Sequence, residues 1–159
     1  MENRPTFQMS APGAREPERG TKGHNAVHEA ERSKARILTV DDSPDALTLL
    51  RLFFSAEGFE VITAGGMAEA LLCMREQLPD LIITDYAMPD RSGLDLCRHL
   101  RSHRETRHIP IVLHTATDLP PTETPPYDAL CEKPAGLAPL ARRVRSLLAA
   151  SQGRHPSQH

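Results

Sequence analysis

The chain has 159 residues, enough for one domain flanked by tails. Its 19 Lys and Arg nearly balance 21 Asp and Glu, for a net charge of −2, which excludes the bulk basic footprint of a nucleic-acid binder. No apolar run approaches the roughly 20 residues of a membrane span, so no membrane anchoring is expected.

Residues 1–34 are poor in apolar side chains and rich in Pro, Gly, Arg and Glu. Such a segment cannot bury enough surface to offset its ordering entropy, so it is read as a disordered N-terminal arm. Met1-Glu2-Asn3-Arg4-Pro5 has no apolar h-region, which argues against a secretory signal and for a cytoplasmic protein. Cys73, Cys97 and Cys131 have apolar neighbours and are read as reduced thiols in or near the core.

Residues 35–150 alternate strand-like apolar runs with helical patterns, which argues an α/β fold: a doubly wound parallel sheet with helices on both faces. The first strand is expected at 36–41. A helix follows over 44–56, with Ser43 as N-cap, Pro44 at its first position and Gly58 as its stop. Leu47, Leu50 and Phe54, flanked by Leu49 and Phe53, predict a broad buried stripe. A strand at 60–64, a helix at 67–77 ending before Pro79, a strand at 81–85, a helix at 92–103 and a strand at 109–114 come next.

The slot for a fourth helix holds Asp118-Leu119-Pro120-Pro121-Thr122-Glu123-Thr124-Pro125-Pro126-Tyr127. Two Pro-Pro pairs remove amide donors and push the preceding residues out of the helical region, so this helix is predicted absent or degenerate. A fifth strand at 128–132 and a last helix at 137–149 complete the domain, with Leu137, Leu140, Val144 and Leu147 inward and Arg142, Arg143 and Arg145 mostly outward. Residues 151–159 read as a polar tail.

The strand ends carry the chemistry. The first strand runs into Asp41-Asp42, the third into Asp85, the fourth into Thr115 and the fifth into Lys133-Pro134. Taken singly, each is an ordinary solvated turn, a strand-ending hydroxyl or a surface lysine. In a parallel sheet, however, the carboxyl ends share one edge, where ligands bind. Three carboxylates there need a counter-charge, which Mg2+ supplies through oxygen ligands and retained waters. Asp42 and Asp85 are the expected direct ligands, with Asp41 acting through a bound water. The free Asp85 oxygen can attack phosphorus in line, Thr115 can donate to the phosphoryl group, and Lys133 can neutralise one of its oxygens.

In this pattern the chain resembles the receiver domain of two-component response regulators. The likeness is carried by Ile37-Leu38-Thr39-Val40-Asp41-Asp42-Ser43-Pro44, by Asp85-Tyr86-Ala87-Met88-Pro89 with Gly93 beyond it, by Pro110 to Ala116, and by Lys133-Pro134. The resemblance implies a flavodoxin-like sheet of five parallel strands in order 2-1-3-4-5. It implies that Asp85 receives a phosphoryl group from a phosphohistidine of a histidine kinase or histidine phosphotransfer protein. It also implies Mg2+ held by Asp41, Asp42, Asp85 and the Ala87 backbone carbonyl, with Thr115 and Lys133 assisting. The chain departs from the family at Leu130, where an aromatic is usual, and in the proline-rich segment.

The reading is a stand-alone receiver that acts through an unidentified downstream protein effector, without nucleic acid, and is no enzyme beyond its own phosphorylation and dephosphorylation. The alternative is a phosphorylation-independent protein-binding pseudo-receiver. A phosphohydrolase would want a second acid two residues after the nucleophile, where this chain has Ala87. That small residue instead predicts open access of water to the phosphoryl group. Asp95, His99 and His103 share one helix face and are read as a solvated stripe rather than a zinc site. The pair His24 and His28 in the arm is read as still weaker for metal. His114, before Thr115, is expected to be partly buried, and Tyr127 to pack the proline-rich loop.

Overall fold

The computed structural model of the chain describes residues 34–134 and 136–153. The expectations for the arm up to Ser33, His24 and His28 included, and for the tail from Arg154 lie outside the described residues. The elements in chain order are β1 Arg36–Val40, α1 Pro44–Ala56, β2 Glu60–Ala64, α2 Met67–Glu76, β3 Leu81–Thr84, α3 Gly93–Arg101, β4 Ile111–Thr115, β5 Ala129–Glu132 and α4 Leu137–Gly153.

All five strands are parallel, in spatial order β2-β1-β3-β4-β5. Ile37 pairs with Val61 on one side and Leu81 on the other, and Ile83 with Val112. Alternate residues therefore feed opposite faces. Ile37, Leu81, Ile83 and Val112 pack with Leu50, Phe54, Leu140 and Val144 from α1 and α4. Leu38, Val40, Ile82 and Ile111 pack with Ala70, Met74, Leu96 and Leu100 from α2 and α3. Each fully buried Val, Leu, Ile, Phe or Met among them contributes about 1.5–3 kcal/mol of transfer free energy.

The local signals act as the chemistry requires. Ser43 accepts the Ala46 amide at 3.2 Å and Pro44 opens α1, while Gly58 takes a positive φ of 99° just beyond its end. Ser92 and Asp95 close a reciprocal capping box on α3. Asp95 is thus engaged at a helix start. α3 ends at Arg101, short of the expected 103, and His99 stacks at 4.4 Å on His103 beyond the helix end, His103 exposed and His99 half-buried.

No helix forms between β4 and β5, as the prolines dictate. Arg101 at the end of α3 holds the extended segment instead. Its Nε donates to Pro126 O at 2.9 Å, its Nη1 to Arg107 O and Ile109 O, and its Nη2 to Asp128 Oδ2 at 2.5 Å. Tyr127 is half-buried and packs on the α2–α3 side of the sheet, whereas Leu130 remains exposed.

Several boundaries and faces differ from expectation. β4 starts at Ile111 rather than 109, because Pro110 offers no amide and enters the ladder only through its carbonyl, which accepts from Ile82. Leu49 is 56% exposed, since α1 turns only the Leu50–Phe54 stripe to the sheet. On α4, Leu148 is buried and Leu147 only partly so, and the helix continues to Gly153 with no breaker after Ala149. The three cysteines are free thiols, Cys97 buried and the other two half-buried.

Candidate functional site

The parallel ladders extend one residue past the strands and set the site. The Asp41 amide donates to Ala64 O, the Asp85 amide to Val40 O and the Lys133 amide to Thr115 O. These bonds hold Asp41, Asp85, Thr115 and Lys133 at the carboxyl edge of the sheet. Carboxylate oxygens of Asp41, Asp42 and Asp85 lie within 4.8 Å of one another. Lys133 Nζ bridges two of them, 3.0 Å from Asp41 Oδ2 and 3.7 Å from Asp85 Oδ2. Sites separated by up to 92 positions in sequence thus meet in one pocket.

The three acids are not equivalent. Asp41 is buried, and its oxygens accept from the Ser43 amide at 2.9 Å and from Lys133. Asp42 is exposed and makes none of the described hydrogen bonds. Asp85 is half-buried, and its Oδ1 accepts the Tyr86 amide at 2.8 Å. Burial raises the Asp85 pKa above the ordinary carboxylate value, and the Asp41 charge adds to that rise; Lys133, the Tyr86 amide and the Thr115 hydroxyl pull it down. Thr115 is buried at the end of β4 and its Oγ1 accepts the Thr117 amide at 3.1 Å.

The loop after Asp85 is clasped at its far end. The Gly93 amide donates to Tyr86 O at 2.8 Å, and the Gly93 α-carbon sits against the Asp85 carbonyl. Ala87, between them, is exposed. His114 is buried on β4 beside Thr115, with its pKa lowered to about 4, first by burial and then by Lys133. It lines a cleft of about 280 Å3 together with Ala46, Leu50, Leu137, Asp41 and Lys133.

Sequence reasoning named every charged member of this pocket. It missed Asp90, which contacts α2 from the loop after Asp85. An acid in a loop has no periodicity to reveal it, and its partners lie 22 and 23 positions away. It also missed the reach of Arg101, for the same reason.

Three carboxylate oxygen donors arranged this closely suit a hard divalent cation such as Mg2+. The fold and the pocket define an open, doubly wound α/β protein with an acidic, lysine-bridged site at the carboxyl edge of its sheet. Residues 37–125 match the family model described as the response regulator receiver domain, and the chain belongs to that family of two-component systems.

Among curated relatives, the phosphate regulon transcriptional regulatory protein PhoB of Rhizobium meliloti is 44% identical over 81 residues, 51% of this chain and 36% of PhoB. The response regulator PleD of Caulobacter vibrioides is 42% identical over 118 residues, 71% of this chain and 26% of PleD. The chain therefore spans only about a quarter to a third of the length of these relatives. The crystal structure of the response regulator TrrA from Thermotoga maritima, in complex with Mg2+ and BeF, superposes with a TM-score of 0.65 at 31% identity, covering 71% of this chain and 98% of TrrA.

Proposed function

We propose that Asp85 accepts a phosphoryl group from a phosphohistidine on a histidine kinase or histidine phosphotransfer protein, and that the phosphorylated state changes the binding of a downstream protein effector. The observation that supports it most is the meeting of the Lys133 ammonium with the Asp41 and Asp85 carboxylates at the sheet edge. An Asp85 oxygen forms the new O–P bond, the P–N bond of the donor breaks, and the imidazole leaves with the bonding electrons and takes up a proton. In this reading Lys133 would neutralise a phosphoryl oxygen and Thr115 would donate its hydroxyl.

Asp42 and Asp85 would hold Mg2+ directly, with Asp41 acting through water and Ala87 offering its carbonyl. The cation would offset the charge of the acids and of the incoming phosphate. In this reading the chain catalyses only its own phosphorylation and dephosphorylation, works in the cytoplasm, and engages neither nucleic acid nor membrane. No helix among the described residues is long and apolar enough to cross a membrane.

The test is incubation with a small acyl phosphate and Mg2+, followed by intact mass. One phosphoryl adduct is expected on the wild type and none on Asp85→Asn; an equal adduct on both would overturn the assignment.

A second reading, a binding module that ignores phosphorylation, is favoured by the extended proline-rich segment in place of a helix and by exposed Leu130. It requires that a captured partner bind wild type and Asp85→Asn equally, with and without the acyl phosphate.

A further inference from the structure

Helix α2 has no cap of its own. Its N-cap is Gly66, which has no side chain to offer, and the cap comes instead from Asp90 in the loop after Asp85. Asp90 Oδ2 accepts the Ala68 amide at 3.2 Å, and Oδ1 accepts the Met67 amide at 3.4 Å and the Arg91 amide at 2.8 Å. The helix N-terminus and these amides favour a carboxylate. The Asp90 pKa is accordingly lowered, chiefly by the Ala68 amide.

Gly66 is what permits this contact: a β-carbon there would lie 2.9 Å from Asp90 Oδ1 and 3.0 Å from Oδ2. A helix that needed only a cap could take one from Ser or Asn at position 66. This helix instead draws its cap from the loop that follows Asp85, where Ala87 would offer its carbonyl to the cation.

That loop has two ends. Its start is fixed by Asp85 and its finish by Gly93, which is clasped to Tyr86 O and packed on Asp85 O. The residues between, Ala87 to Arg91, have among the described hydrogen bonds only the Asp90 contacts to the rest of the fold. α2 follows β2, whose last residue Ala64 accepts the Asp41 amide. Asp90 therefore ties the Ala87 segment to the side of the pocket where Asp41 is anchored.

We propose that Asp90 is a positioning residue for the cation pocket: by capping α2 across the gap, it holds the Ala87 backbone in register with the three carboxylates. The proposal rests on the phosphoacceptor reading above. Gly66 and Asp90 form one latch, in which the missing side chain makes room for the carboxylate.

The test uses the full chain. Mg2+ is titrated by calorimetry, while thermal unfolding is followed without the ion. Asp90→Ala should weaken Mg2+ binding about tenfold, the low end of what loss of an outer-shell partner costs, and should lower Tm. Asp90→Asn, which keeps one acceptor oxygen, should fall between. The double variant Gly66→Ser/Asp90→Ala gives α2 a local cap in the space the carboxylate vacates. It should regain Tm while Mg2+ affinity stays weak.

Equal Mg2+ affinity in wild type and Asp90→Ala overturns the latch. So does recovery of affinity together with Tm in the double variant, which would reduce Asp90 to a helix cap. If the wild type itself takes up no Mg2+, the latch and the phosphoacceptor reading fall together, a result distinguishable from the other two.

Discussion

Gly93 and Asp85 are packed so closely that a β-carbon on Gly93 would stand 2.1 Å from the Asp85 carbonyl oxygen. The atom it would meet is backbone, at the residue that carries the pocket's central carboxylate, so no side chain can swing away to make room. Gly93→Ala must move either β3 or the start of α3. We expect it to cost about 1–3 kcal/mol, the scale of overpacking in a tight interior, and to slow acyl-phosphate labelling of Asp85. Urea unfolding and intact mass check the two effects; unchanged labelling would show that the pocket absorbs the shift.

Asp42 is the exposed acid of the three and makes no described hydrogen bond, which leaves its carboxylate for a ligand. Asp42→Ala should therefore weaken Mg2+ binding by roughly tenfold or more, since even outer-shell losses reach that size, and slow phosphoryl transfer. Lys133→Ala should behave differently, removing a cation that competes for the same oxygens while leaving the donors in place. Its Mg2+ affinity should be at or above wild type, and the phosphorylated variant should no longer alter partner binding. Calorimetry on both variants separates the roles; unchanged affinity in Asp42→Ala would reassign the ligand.

The pH dependence of stability should carry two opposite contributions from this pocket. The Asp85 pKa is raised in the fold, so its ionisation costs stability as pH rises above the ordinary carboxylate range. Asp85→Asn removes that cost: its Tm at pH 7 should exceed wild type by an amount on the order of a few degrees, and the gain should fade toward pH 4. His114 acts the other way. Its pKa falls from 6.5 to about 4, so the unfolded chain takes up a proton first and stability is lost as pH drops from 6.5 toward 4. His114→Leu should flatten that part of the profile. Thermal melts from pH 4 to 7 on both variants check the signs, and parallel profiles for all three proteins would refute them.

The same residues show why the site was legible in the sequence and its supports were not. Asp41, Asp42, Asp85, Thr115 and Lys133 stand at or within two residues of the ends of largely apolar runs, and a parallel sheet must bring such positions to one edge. Pro120, Pro121, Pro125 and Pro126 announced the missing helix because proline removes the donor a helix needs. Periodicity likewise placed Leu50 and Phe54 inward, but it put Leu49 with them, because a helix pattern cannot say how wide a stripe its sheet will cover. Asp90 and Arg101 act through polar contacts to elements distant in sequence, and nothing local encodes the partner. Gly66 and Gly93 are similar: each is read from the atom it must not touch.

Arg101 gives the last expectation. It donates to three backbone carbonyls, at Arg107, Ile109 and Pro126, and pairs with Asp128, whose Oδ2 also accepts the Ile111 amide at 2.8 Å. One guanidinium thus joins the end of α3, the approach to β4, the proline-rich segment and the start of β5. Its planar fork suits this role, and lysine could not reproduce it. Arg101→Ala strands several partly buried acceptors at once, each of which costs about 1–3 kcal/mol when left unpaired and shielded from water. Partial exposure of the Arg101 side chain, 26%, keeps the expected total near the lower end, about 2–3 kcal/mol. Arg142→Ala on the exposed face of α4 should stay within about 0.5 kcal/mol of wild type. Urea unfolding measures both, and hydrogen exchange should be faster in Arg101→Ala at Asp128, whose amide donates to Ile111 O. A stable Arg101→Ala with unchanged exchange would mean that the prolines alone hold the segment where a helix is missing.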